Sequence, residues 1–242
     1  MTYFTMGFIV LILVVVVLLA RGAFHQTADI VLPQLQSEDG NAVPSGDQSS
    51  ALNVVRITPD TVQLAISTLS RPAIYSRTQT VETFWSGGSG RSVTSVAVSG
   101  GRTRLDTQLA GDSVCHMLVV DQKAAVWYDE ETSWTELRAE RFTADLAQRM
   151  LSYETILSIP VSGIAAADYR DLDGTGCIYV ETAADEAGYS DHYWVSVSTG
   201  LLVRAERSCE GELVYRFTAS ALDVEPPEES LFRLPDGREW ED

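Results

Sequence analysis

The chain opens on an apolar run and then changes its period three times. Residues 3–20 (YFTMGFIVLILVVVVLLA) carry no charge. At 1.5 Å per residue such a run makes roughly 27 Å of helix, close to the hydrocarbon thickness of a bilayer. A secretory signal carries Lys or Arg ahead of its apolar core, but the first basic residue is Arg21. The pattern therefore predicts an uncleaved transmembrane anchor over residues 1–25. Cleavage after Gly22 or Ala23 is the competing reading. Residues 26–52 are rich in Ser, Gln, Asp, Gly and Pro and lack periodicity. They read as a flexible linker, with Ile30–Leu35 as the one short segment that could dock. The folded domain is expected over residues 53–242, on the extracytoplasmic side of the cell membrane.

Within that domain the pattern first turns helical. Thr58 reads as an N-cap, Pro59 as the first helical residue, and Asp60 favours the positive end of the dipole. Val62, Ala65, Ile66 and Leu69 recur at i, i+3, i+4 and i+7 and make one apolar stripe. Arg71 before Pro72 is the expected stop. From Ala73 the period shortens to two. Segments 73–85, 91–98, 102–108, 113–120, 124–129 and 133–137 are separated by turn residues and predict an antiparallel meander. A second helix is expected over residues 144–157, capped by Thr143, with Leu146, Met150, Tyr153 and Leu157 on its buried face. Strands then resume at 163–170, 175–182, 190–197, 201–208 and 212–220.

The last three strands permit a register test. A Ser198–Gly200 turn sets Val195 opposite Val203, and a three-residue turn at Cys209–Gly211 sets Ala205 opposite Tyr215. One face then reads Tyr193, Val195, Val197, Leu201, Val203, Ala205, Tyr215, Phe217 and Ala219. The other is mixed and holds His192, Trp194, Ser196, Leu202, Arg204, Glu206, Arg216 and Thr218. A one-residue slip would scramble the two sets. In this register Cys177 falls near Ser196, far from Cys209, and no Cys177–Cys209 disulfide is expected.

Composition narrows the function classes. Asp plus Glu number 34 against 17 Lys plus Arg, a net charge of −17. Such a surface repels phosphate backbones, so nucleic acid is not an expected partner. The three cysteines (Cys115, Cys177 and Cys209) show no Cys-x-x-Cys spacing, and the three histidines stand at no ligand spacing, so no metal is expected. Cys115 and His116 are neighbours on a strand and point to opposite faces, so a Cys–His hydrolase would need His192 instead. DYRDLDGTG (168–176) resembles a calcium loop but has Tyr169 and Val180 where acids belong, and reads as a hairpin turn at Asp173-Gly174. SGGSGR and SGGR precede strands, so neither makes a phosphate cradle, which needs a helix behind it. No catalytic residue and no cofactor are expected. The remaining candidate is the apolar sheet face, with Tyr193, Val195, Val203, Tyr215 and Phe217 as residues that could bind an apolar ligand.

The chain ends on LVYRFTAS…PPEESLFRLPDG, a last strand, an acidic Pro-Pro break and an apolar plug (Leu231, Phe232, Leu234). That ending, with the order helix, six strands, inserted helix and further strands, resembles the LolA/LolB lipoprotein-carrier superfamily over residues 53–240. The resemblance implies a mainly β fold with two helices: a curved antiparallel sheet, unclosed as a barrel, with helices packed on its concave side. It also implies a non-enzymatic module that holds a lipid or other apolar ligand, or an envelope sensor that binds a regulatory protein partner. No functional residue of the superfamily maps onto a position of this chain. The plug is expected to close an end of the half-barrel.

Overall fold

The structure is a computed structural model that describes residues 30–31, 54–109, 113–121, 123–129, 131–138 and 151–240. The anchor expected over residues 1–25 lies outside them, as do Thr143, Leu146 and Met150. Among the described residues no helix is long and apolar enough to cross a membrane. The chain divides into a unit ending at Arg56 and a compact unit from Ile57 onward. In the first, β1 (Ile30–Val31) pairs antiparallel with β2 (Val54–Val55), so part of the expected linker holds strand structure.

The second unit is built on eleven strands: β3 (Tyr75–Trp85), β4 (Gly88–Ser99), β5 (Arg102–Gln108), β6 (Val114–Val120), β7 (Lys123–Tyr128), β8 (Thr135–Arg138), β9 (Ile164–Leu172), β10 (Thr175–Thr182), β11 (Tyr189–Ser196), β12 (Leu202–Cys209) and β13 (Glu212–Ala219). They form one antiparallel sheet in the order β8-β7-β6-β5-β4-β3-β13-β12-β11-β10-β9. β8 and β9 are its two edges and do not pair, so the sheet is an unclosed half-barrel, and the expected mainly β class with two helices holds. Two meanders meet where β13 pairs with β3, which brings the last strand beside the first strand of the sheet.

Cross-strand pairing sorts the side chains into two faces. Tyr193, Ala205, Phe217 and Val81 are successive partners across β11, β12, β13 and β3. Farther along the same face, Arg77 pairs Val96, which continues through Leu105, Met117 and Val126. Val96, Leu105, Met117 and Ala124 form a buried apolar cluster there. The opposite face is mixed, as expected.

α1 (Val62–Thr68) buries Val62, Ala65 and Ile66 and packs on β10. Its first turn is tied by Thr58: the Thr58 carbonyl accepts from the Val62 N–H at 2.9 Å, and the Thr61 hydroxyl accepts from the Thr58 N–H at 3.0 Å. The helix ends at Thr68, earlier than Pro72 requires. Arg71 explains the stop: its guanidinium donates to the Ile66, Leu69 and Gly200 carbonyls, and so satisfies the helix terminus from outside. It also stacks 3.4 Å from the centre of the Tyr153 ring. The second helix departs from expectation. α2 is only Glu154–Leu157, Leu151 and Ser152 are not helical, and the buried residue is Ile156 while Leu157 stays half-buried. The Gln63 carboxamide donates to the Ile156, Leu157 and Ile159 carbonyls, which fastens α2 to α1.

Two registers shift. β11 pairs β12 as expected at Tyr193–Ala205, but a bulge after Trp194 sets Val195 opposite Leu202, not Val203. The bulge turns Leu202, an expected mixed-face residue, into the core, where it is 1% exposed. β12 and β13 join through a two-residue turn, Glu210-Gly211, with φ of 51° and 86°. The shorter turn moves the pairing by one residue and a bulge between Arg207 and Ser208 moves it by one more, so Ala205 faces Phe217, two residues from the expected Tyr215. A slip of two preserves the faces, so the core composition is unchanged.

The C-terminal plug is a 3-10 turn, Glu229–Phe232, followed by Leu234. Phe232 and Leu234 pack on Ala97 of β4, Leu118 of β6 and Ala125 and Trp127 of β7, on the face opposite Phe217. Small side chains there leave room for the ring, and Arg102 covers it at 4.7 Å while pairing Glu229 at 2.6 Å.

Candidate functional site

The helical segment 151–163 crosses the apolar face near β10–β13 without filling it. Two adjoining hollows remain, of about 370 Å³ and about 540 Å³, which share Thr155, Asp191, Tyr193 and Arg207. Together they make a groove in the size range of small-molecule sites. Leu151, Ala205, Val214 and Tyr215 give its inner end an apolar wall. Ile159, Pro160 and Tyr189 continue that wall at the other end.

The residues common to both hollows include the groove's arginine, and Glu206 and Asp185 add one further carboxylate to each hollow. Asp191 and Arg207 face each other across β11 and β12, and Arg207 donates from Nε and Nη2 to the two Asp191 oxygens at 2.7 and 2.8 Å. This bidentate pair holds the guanidinium protonated, well above its usual pKa. Burial, and then the Asp191 charge, push the Tyr193 hydroxyl above the usual phenol range. Burial does the same to Tyr215, against the opposing pull of Arg207. Both phenols therefore stay neutral at physiological pH. They offer ring faces but no acid or base poised near neutrality. The groove is equipped to bind.

The five expected ligand residues separate. Tyr193 and Tyr215 line the groove. Val195 and Phe217 are fully covered beneath it and line neither hollow. Val203 lines a different hollow near the start of β12. Asp191, Arg207, Thr155 and Leu151 were missed. The first two were readable, because the register that pairs Tyr193 with Ala205 also pairs Asp191 with Arg207.

The mixed face carries a packed ladder. Arg170 stacks 3.3 Å over Tyr179, whose hydroxyl donates to Glu181 at 2.8 Å and lies 2.6 Å from His192 Nδ1. Trp194 is half-buried between Tyr179 and Arg204. His116 sits between Asp106 and Arg104 at 2.7 and 2.9 Å, while Cys115 is buried on the other face. His192 on β11 lies six strands from Cys115 on β6, so no Cys–His pair forms between them. Asp173-Gly174 is the expected hairpin turn, and among the described residues no group of acids, His and Cys gathers as a metal site. Cys177 faces Ser196 as expected and is a buried free thiol whose pKa burial pushes up to about 11.

No family model and no curated protein matches the chain. It is similar to several solved structures. One is a LolA superfamily protein from Nitrosomonas europaea, with 11% identity and a TM-score of 0.37 over 73% of this chain and 97% of that one. Another is the Pseudomonas aeruginosa MucA/MucB complex, at 14% and 0.39 over 70% of this chain and 57% of the matched chain. A third is the Mycobacterium tuberculosis lipoprotein LppX, at 14% and 0.39 over 70% and 94%. The chain is thus similar to LolA-like structures, and its unclosed half-barrel follows from its own strand order.

Proposed function

We propose that the chain is a membrane-tethered binding module that holds a lipid or another apolar ligand on the extracytoplasmic side of the cell membrane. The observation that carries this reading is the groove between segment 151–163 and β10–β13, walled by Leu151, Tyr193, Ala205, Val214 and Tyr215. Its apolar wall residues favour an apolar ligand, and the Arg207–Asp191 pair sets a polar point where the two hollows meet. The charge-free run at residues 3–20 supports the tether. A fluorescent acyl probe titrated into the full-length chain should show saturable uptake. Tyr215→Ala should weaken it about tenfold, the equivalent of losing one to two buried methylene contacts. No uptake, or uptake that Tyr215→Ala leaves unchanged, overturns the reading. A C-terminal reporter that works only outside the cytoplasm checks the placement.

A second reading, a sensor that meets a protein partner, is favoured by the aromatic and charged ladder of Arg170, Tyr179, Trp194 and Arg204 on the opposite face. It predicts a stable partner captured by crosslinking from that face in cells, and loss of capture in Trp194→Ala.

A further inference from the structure

Charge in the acyl groove is unevenly supplied. Among the described residues Arg207 is the one basic residue of its lining, against Asp191, Glu206 and Asp185. Asp191 and Arg207 stand on the same face as the two phenol rings. Asp191 pairs Arg207, Arg207 pairs Tyr215, and Tyr193 lies two residues from Asp191 along β11.

The guanidinium is already matched. Its Nε and Nη2 donate to the two Asp191 oxygens at 2.7 and 2.8 Å, so a full negative charge stands at contact distance. Asp185 adds a second carboxylate to the field at Arg207, and both acids hold its proton more firmly. Glu206 brings no uncommitted charge, because its Oε1 accepts from Arg204 and Arg216. The groove therefore holds a closed ion pair and the surplus charge of Asp185. An anion placed there would meet no unmatched cation and would be repelled by Asp185. Its cost of leaving water would go unrepaid. A cation gains little more. Both Asp191 oxygens are taken by Arg207, and Asp185 Oδ1 accepts the Ala187 and Tyr189 N–H groups at 2.9 Å. The contact that remains is a neutral one. Arg207 Nη1 makes no hydrogen bond to protein among the described residues. A donor whose charge is already cancelled suits a carbonyl oxygen.

Resting on the binding role proposed above, we infer that the groove selects an acyl ligand with an uncharged, carbonyl-bearing head, such as a fatty ester. The Asp191–Arg207 pair is its specificity determinant, and Asp185 is a second barrier to anions such as fatty-acid carboxylates.

Displacement of a fluorescent acyl ester from the full-length chain tests this. The competitors are methyl laurate, laurate and laurylammonium, at a pH where each head keeps its stated charge. Methyl laurate should bind about tenfold tighter than laurate, with laurylammonium between them. Asp191→Asn keeps the shape of the pair and frees the charge of Arg207. Laurate should then gain about tenfold, while methyl laurate changes by less than about twofold. Asp185→Asn lies outside the pair and keeps the turn acceptor. It should raise laurate affinity about threefold with an unchanged melting temperature, and it carries the test alone if Asp191→Asn does not fold. A plain apolar groove would also disfavour laurate, but neither variant would move its ratio of ester to laurate affinity. Three results overturn the inference and leave the groove reading standing: laurate binding as tightly as methyl laurate, laurylammonium binding tightest, or a ratio that the folded variants leave unchanged. No saturable binding of the fluorescent ester overturns the groove reading and the selectivity with it.

Discussion

Glu206 shows how single side chains set the electrostatics of the sheet. Its Oε1 accepts from Arg204 Nη2 at 2.6 Å and from Arg216 Nε at 2.8 Å. Burial raises its pKa, but the two guanidinium groups outweigh burial, and the net shift is downward. A carboxylate with a depressed folded pKa contributes stability that is fully present above its unfolded pKa. That contribution is lost as pH falls through the folded value. The gap in melting temperature between wild type and Glu206→Gln should therefore be constant near neutrality. It should close as pH falls from about 5 toward 3. A gap that persists at the acid end would show that Glu206 acts through packing rather than charge. At this scale legibility was uneven. Asp191 and Arg207 could be paired from strand register alone. Arg71 could not, since its role as a helix stop depends on the Gly200 carbonyl, 129 residues away in sequence.

The strands themselves were readable because turn residues punctuate them and their apolar positions alternate. β5 and β10 match their expected spans residue for residue. Register was harder, since the β12–β13 turn takes two residues where three were expected, and a bulge follows Trp194. The tight turn puts Glu210 at a φ of 51°, a region that costs an L-residue without a short polar side chain about 1 kcal/mol. Glu210→Asn should accordingly stabilise the domain by about 0.5–1 kcal/mol in urea unfolding. Destabilisation would mean that the acid has a role beyond the turn. Apolar periodicity favoured an inserted helix over residues 144–157, and in the described part of that span Leu151 and Ser152 are not helical. Leu151 instead lines the groove. The plug makes a contribution that can be tested directly. Phe232 is 1% exposed against Leu118 and Trp127. Phe232→Ala should cost about 3–5 kcal/mol, and Phe232→Leu less, because it leaves a smaller void. An unchanged urea midpoint in Phe232→Ala would show that the ring is loosely held.

At the scale of the whole molecule, the open sheet was legible from the alternation of strands and turns, and the half-barrel ending from the plug. The position of the plug was not, because alternation marks Ala97, Leu118 and Ala125 as one face without saying what covers them. The charge carries a consequence that no single contact shows. The chain has 17 more acids than bases. Many arginines are already committed at contact distance, as in Arg207–Asp191 and Arg102–Glu229. The surplus acids are left to repel one another over longer distances. Salt distinguishes the two. The screening length falls from about 30 Å at 0.01 M to about 8 Å at 0.15 M, which removes distant repulsion first and touches bidentate pairs least. Raising sodium chloride over that range should therefore stabilise the protein by about 1 kcal/mol, or about 2–4 °C in melting temperature. A fall in melting temperature with chloride would mean that exposed ion pairs outweigh the repulsion. The excess of acids would then be a local feature of the surface with no net cost to the fold.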